Sequence, residues 1–152
     1  MNAWESVLKV PPLDPGSCQV WWARVTDAKL RHVEWLSELE RRRAAAYRRE
    51  DDRNRFVLGC ALSRLILSAQ LGVAPRDVPL DRTCPACGRP HGKPRLPDGM
   101  PQLSVSHSGD RVAVAVMLDA PVGVDVERVD TSFDMEEMAE GVLAASERSR
   151  VM

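Results

Sequence analysis

Apolar and polar positions alternate along much of residues 103–129, L-S-V-S-H-S-G-D-R-V-A-V-A-V-M-L-D-A-P-V-G-V-D-V-E-R-V. A period of two predicts half-buried strands over Val112 to Met117 and Val122 to Val126, with a shorter one over Gln102 to Val105 that ends at Ser106-His107. Cys18 to Val25 predicts a first strand, with Val20 and Trp22 on one face and Trp21 on the other. Thr26-Asp27 can cap a helix running toward Trp35. Ser37 with Glu40 three residues on forms a capping box, which opens a second helix through about Tyr47. The longest helix is expected from near Glu50 to Gln70, closed by Gly72. Phe56, Cys60, Leu67 and Leu71 make its apolar stripe, Val57, Ala61 and Leu65 widen it, and Arg53, Arg55 and Arg64 are expected on its polar side. Residues 1–17 hold three of the eleven prolines and read as an irregular lead-in; Val73 to Leu80 reads as a linker with a short extended piece.

Composition narrows the picture. A chain of 152 residues suits one domain, or one and a half small ones, and a hydrophobic content of 44% allows a real core. A charged content of 28% with a net charge of −1 argues against disorder and against a general attraction to nucleic acid. The charge is unevenly spread, however. Seven arginines (41, 42, 43, 48, 49, 53 and 55) stand against three acids between Arg41 and Arg55, while Asp125 to Glu140 is mainly acidic. A basic helical region facing an acidic strand end suits a ligand that carries phosphates and a metal. No apolar run approaches the roughly twenty residues of a membrane span, and the N-terminus lacks a charged-then-apolar signal pattern. The expectation is a cytoplasmic chain that binds no membrane and whose four cysteines are free thiols.

Candidate chemistry sits on this frame. On a strand over 122–126, Asp125 and Glu127 share the face opposite Val122, Val124 and Val126. Two adjacent carboxylates repel unless a cation lies between them, and Mg²⁺ takes one or two carboxylates plus phosphate and water oxygens. The plainer reading of D-x-E is a solvated strand face. Ser104-Val105-Ser106-His107-Ser108-Gly109 offers hydroxyls, an imidazole and a glycine backbone as a phosphate cradle, or simply a polar turn. Cys84-Pro85-Ala86-Cys87-Gly88, with His91 four residues after the second cysteine, is half of a zinc ribbon without a second C-x-x-C; the default is a tight turn carrying two free thiols. In Gly92-Lys93-Pro94 the glycine permits close backbone approach and the lysine supplies a point charge for phosphate.

Three motifs, H-G-K-P-R-L-P, L-S-V-S-H-S-G and P-V-G-V-D-V-E, follow one another in this order over residues 91–127. In that order and spacing they resemble the larger, surfactin-synthetase-activating type of 4'-phosphopantetheinyl transferase, across roughly residues 37 to 150. The resemblance implies an α+β fold, the first half of a pseudo-twofold structure in which a small sheet is packed by helices. Residues 18–130 would then form the N-terminal subdomain and residues 131–152 the start of the linker and second subdomain. Gly141 to Arg148 resembles the family's loop before its next helix. The implied reaction moves the phosphopantetheine arm of coenzyme A onto a serine of an acyl or peptidyl carrier protein, a holo-acyl-carrier-protein synthase activity. The resemblance also implies roles: Asp125 and Glu127 as Mg²⁺ ligands, His107 together with them at the catalytic centre, and Arg55, Lys93, Ser106 and His107 as the coenzyme's phosphate contacts. Arg41 to Arg43 are read instead as a solvated arginine face.

The resemblance stops short of the family's second half, where a W-x-x-K-E-x-x-x-K helix supplies a further metal ligand. The four tryptophans here are Trp4, Trp21, Trp22 and Trp35, and none opens that motif. The implied consequences are weakened activity of the chain alone and self-association through the interface the second half would cover. The rival readings are a non-catalytic coenzyme A or carrier-protein binder and a zinc-knuckle interaction protein. A nucleic-acid role is disfavoured, since no aromatic residues interleave with the arginines.

Overall fold

The structure, a computed structural model, describes residues 9–129 and 135–151. The first eight residues of the expected lead-in, and Ser132 to Asp134 of the expected connection, lie outside the described residues. Strand β1 (Cys18–Arg24), helix α1 (Glu38–Ala45), helix α2 (Glu50–Leu71), strand β2 (Gln102–Ser108) and strand β3 (Arg111–Met117) build the body. Helices α3 (Met135–Val142) and α4 (Ala145–Val151) follow. The class is α+β as expected: one three-stranded sheet, order β1-β3-β2, antiparallel at both pairings. Among the described residues no helix is long and apolar enough to cross a membrane.

The central strand explains the core. On β3 the register places Val112, Val114 and Val116 opposite His107, Val105 and Leu103 of β2. All three valines are fully buried, against Leu58, Leu62, Ile66 and Leu67 of α2. Gly59 lets the helix come close, since a Cβ there would lie 3.3 Å from the Val105 side chain and 3.5 Å from that of Val112. A second cluster, Leu36, Ala44, Phe56, Val57, Cys60 and Ala61, joins α2 to α1. Burying one such side chain is worth about 1.5–3 kcal/mol, whereas an exposed ion pair such as Arg42 with Glu38 on α1 is worth about 0–1 kcal/mol. Stability therefore rests on the helix–sheet seam rather than on the arginine-rich surface. β1 turns as its alternation requires: Trp21 packs on the core, while Val20 and Trp22 remain exposed on the outer sheet face.

Several expectations are corrected. The helix expected from Thr26 toward Trp35 is two separate 3₁₀ turns, Val25–Asp27 and Leu30–Trp35. Side chains close each turn early: Asp27 accepts the Arg24 N–H at 2.8 Å, and His32 Nδ1 accepts the Lys29 N–H at 3.3 Å. Such local bonds compete with a continuous helix ladder. The Ser37 capping box is present, with Glu40 donating its N–H to Ser37 Oγ and Ser37 its N–H to Glu40 Oε2. Arg64 is not on a polar side. It is buried, its Nε donating to Glu40 Oε2 at 2.7 Å and its Nη1 to the carbonyls of Pro75, Arg76 and Val78 at 3.0, 3.2 and 3.1 Å. The linker 73–80 holds a 3₁₀ turn, Pro75–Asp77, that Arg64 thus pins to the helix. β2 runs on through Ser108 rather than stopping near Val105, because the two-residue turn Gly109-Asp110, with Gly109 at φ 54°, lets the hairpin ladder continue to its tip.

The strand expected over Val122 to Val126 is corrected as well. The segment alternates in exposure, but no backbone ladder joins it to β2. The Val126 and Arg128 N–H groups instead donate to the hydroxyls of Ser106 and Ser108, at 3.2 and 3.3 Å.

Candidate functional site

β2 separates two groups of polar residues, because adjacent residues of a strand point to opposite faces. On the face toward α2 lies a cleft of about 280 Å³, lined among others by Arg43, Tyr47, Arg55, Arg82, Lys93 and His107. Three of the sequence-predicted residues, Arg55, Lys93 and His107, meet there. Arg55 is positioned by α2: it pairs with Asp52 one turn earlier and donates to the Gly109 carbonyl at 2.6 Å, tying the helix to the hairpin turn. Lys93 follows Gly92, where a Cβ would press on the backbone of Arg82, Thr83 and Cys84 at 3.0–3.1 Å. The Gly92 N–H donates to the Arg82 carbonyl at 2.7 Å, and Lys93 Nζ donates to the Val122 carbonyl at 2.7 Å. Several guanidinium and ammonium groups with an imidazole around one small hollow can hold an anion, and phosphate is the group such a set fits best.

Ser106 is placed apart from that cleft. Its hydroxyl donates to Asp125 Oδ1 at 2.7 Å, and two residues on Ser108 donates to Glu127 Oε2 at 3.1 Å. The two carboxylates are thus exposed and held side by side by two serines of one strand face. Glu127 and Arg55 also border a larger cavity of about 690 Å³, together with the hairpin turn and residues Val25, Thr26 and Asp51. Hard oxygen donors, two carboxylates with hydroxyls beside them, fit Mg²⁺ and leave most of its six positions for water and phosphate oxygens.

Sequence reasoning missed several cleft residues. Arg43, expected to be solvated like its neighbours, lies over the Phe56 ring at 5.0 Å and donates to the Pro90 carbonyl at 3.1 Å. Arg82 sits 3.5 Å from Glu40 Oε1 and lines the same cleft. Its only signal was its place two residues before the C-x-x-C. Cys60, in the cleft wall, is chemically quiet: burial, reinforced by the Glu40 charge, pushes its thiol up to about 12.

With the geometry described, comparison with known proteins adds the family. Over 125 residues, 76% of this chain, it is 30% identical to a phosphopantetheinyl transferase of Thraustochytrium sp., of which 41% is covered. It is 32% identical over 108 residues to the 4'-phosphopantetheinyl transferase HetI of Nostoc sp., covering 68% of this chain and 43% of HetI. A putative 4'-phosphopantetheinyl transferase, slr0495 of Synechocystis sp., is 30% identical over 95 residues, covering 60% of this chain and 36% of that protein. No protein-family model matches the chain. The kinship read from the three motifs is borne out: over most of its length the chain is a homologue of phosphopantetheinyl transferases. It spans about two fifths of the length of these curated relatives.

Proposed function

We propose that the chain contributes the phosphate-binding cleft and the metal-binding carboxylates of a 4'-phosphopantetheinyl transferase, with residues 18–130 as the unit that carries them. The observation behind this reading is the convergence of Arg55, Lys93 and His107 on one cleft beside the strand whose other face orients Asp125 and Glu127. Coenzyme A is the donor and a serine hydroxyl of an acyl or peptidyl carrier protein the acceptor. The serine oxygen loses its proton to solvent and bonds to the phosphorus bearing the pantetheine arm, the pyrophosphate P–O bond breaks, and adenosine 3',5'-bisphosphate leaves.

Each residue has a part in this reading. Lys93, Arg55 and His107 hold the nucleotide's phosphates, joined by Arg43 and Arg82 at the rim. Asp125 and Glu127 hold Mg²⁺, which supplies charge neutralisation at the pyrophosphate. Ser106 and Ser108 fix those carboxylates, so that two like charges meet the cation without reorganising. The outer sheet face, with Val20 and Trp22 exposed, is the surface through which self-association would occur; sedimentation velocity of the chain against Trp22→Ser tests that part, with a concentration-dependent shift expected only in the unaltered chain.

The rival reading is a coenzyme A or carrier-protein binder without transfer. One experiment separates the two. The chain is mixed with coenzyme A, Mg²⁺ and an apo carrier protein, and intact mass is followed, with Asp125→Ala as control. A phosphopantetheine mass gain that disappears in the control supports transfer. Mg²⁺-dependent coenzyme A binding by calorimetry without mass gain supports the second reading. Neither binding nor gain in a folded chain overturns both.

A further inference from the structure

The segment between α2 and β2 carries a second, separate cluster of metal-ligating atoms that the transfer chemistry does not use. We propose that Cys84, Cys87 and His91 form a binding site for a thiophilic divalent cation, zinc by its chemistry, with water in the fourth position. Their ligand atoms all lie within 4.8 Å of one another, and Cys87 Sγ is 2.9 Å from His91 Nε2. Zinc bonds of about 2.3 Å to sulfur and about 2.0–2.1 Å to nitrogen set tetrahedral ligand atoms roughly 3.5–3.8 Å apart. The set therefore closes on an ion with side-chain shifts on the order of an ångström.

The backbone around the cluster is independently built for thiolates. The Gly88 N–H donates to the Cys84 carbonyl and the Cys84 N–H to the Arg89 carbonyl, both at 2.8 Å, with Gly88 at φ 69°, so that the chain folds back over Cys84. The backbone N–H groups of Ala86 and Cys87 are turned toward the Cys84 sulfur. The ribbon beneath is closed by the Asp81–Arg95 bridge, and Gly92 packs closely on the backbone of Arg82 to Cys84. Two thiolates and an imidazole select zinc over magnesium, which takes hard oxygen donors. Two thiol protons leave as the two sulfur–metal bonds form, so affinity rises with pH. His91 directly precedes Gly92-Lys93 and itself borders the cleft. A bound cation thus joins the knuckle to the loop that presents Lys93, and orders that loop from outside the cleft.

Cobalt(II) titration of the reduced, metal-free chain tests this, because thiolate ligation produces a sulfur-to-cobalt charge-transfer band in the near ultraviolet. The expected result is saturation at one equivalent, with visible bands of tetrahedral cobalt and stoichiometric displacement by zinc. Cys84→Ser abolishes the band, and His91→Ala alters the visible bands and weakens binding. Cys18→Ser, at the exposed thiol of β1, changes nothing. A folded chain that develops no charge-transfer band at micromolar cobalt overturns the proposal. So does a band that survives Cys84→Ser or vanishes with Cys18→Ser. None of these readouts involves coenzyme A, so the outcome is independent of the transferase reading.

Discussion

Glu40 closes the capping box of α1 and is also the buried counter-charge of Arg64. Burial opposes its ionisation, but the hydrogen bond and charge of Arg64, then Ser37 and Arg82, outweigh that and hold its carboxyl below the usual range. Removing one partner of a buried pair leaves the other charge uncompensated, so Glu40→Ala is expected to destabilise by about 3–5 kcal/mol in urea unfolding. A depressed carboxyl pKa stabilises the fold above the unfolded-state value and ceases to as pH falls through the folded one. His32 acts in the same direction. Burial, followed by the Arg31 and Lys29 charges, lowers its pKa from 6.5, so below that pH the unfolded chain takes up a proton that the folded chain resists. Stability should therefore decline in two limbs as pH falls, one below about 6.5 and one below about 4.5; His32→Asn flattens the upper limb and Glu40→Gln the lower one. The cysteines diverge at this scale as well. Iodoacetamide at neutral pH should label Cys84 well before Cys60, and peptide mass mapping would show the order.

At the scale of elements, Gly59 and Gly92 are close-approach positions in the long helix and the cleft loop. Gly59→Leu should cost about 1–3 kcal/mol by overpacking the helix–sheet seam. Gly92→Ala should leave the fold intact but weaken coenzyme A binding, since it pushes the Lys93 loop off the backbone it rests on. The strands β1 and β3 and the helices α1 and α2 were legible because periodicity, caps and glycine stops agreed at each. The 3₁₀ turns before Leu36 were not, since Asp27 and His32 act through bonds that a periodicity does not register. Residues 122–126 were read correctly for alternation and wrongly for pairing: a period of two reports which way side chains point, not what their backbone bonds to. Arg64 failed for another reason. Its partner Glu40 lies 24 positions earlier, and nothing local to α2 announces a buried acid.

Across the whole molecule, α2 and the sheet form the frame, and the chemistry lies at the frame's edge, where β2, paired to β3 on one side, has no second strand beside it among the described residues. The three motif segments, all within residues 91–127, converge there, which is why their order was readable and the division of labour between His107 and Ser106 was not. Lys93 is exposed, and its ammonium donates to the Val122 carbonyl. Lys93→Ala should therefore change the melting midpoint little while reducing coenzyme A affinity by about tenfold or more, the loss of one charge-assisted hydrogen bond. Calorimetric titration alongside thermal melting would show the two separating.

The serines of β2 have one further consequence. A backbone ladder accepts almost any side chains and so tolerates slippage, but Ser106 and Ser108 each donate to a carboxylate and accept the N–H that follows it. Sliding the 122–129 segment by two residues would set Gly123 against Ser106, or Val129 against Ser108, with no carboxylate to receive the proton. Sliding it by one would turn Val124 and Val126 outward. The alignment is spelled in side chains, and only one spelling satisfies both hydroxyls. The carboxylate pair is thereby delivered to a single address on the sheet edge, and a Ser106→Ala, Ser108→Ala chain should fold yet no longer know where to put it.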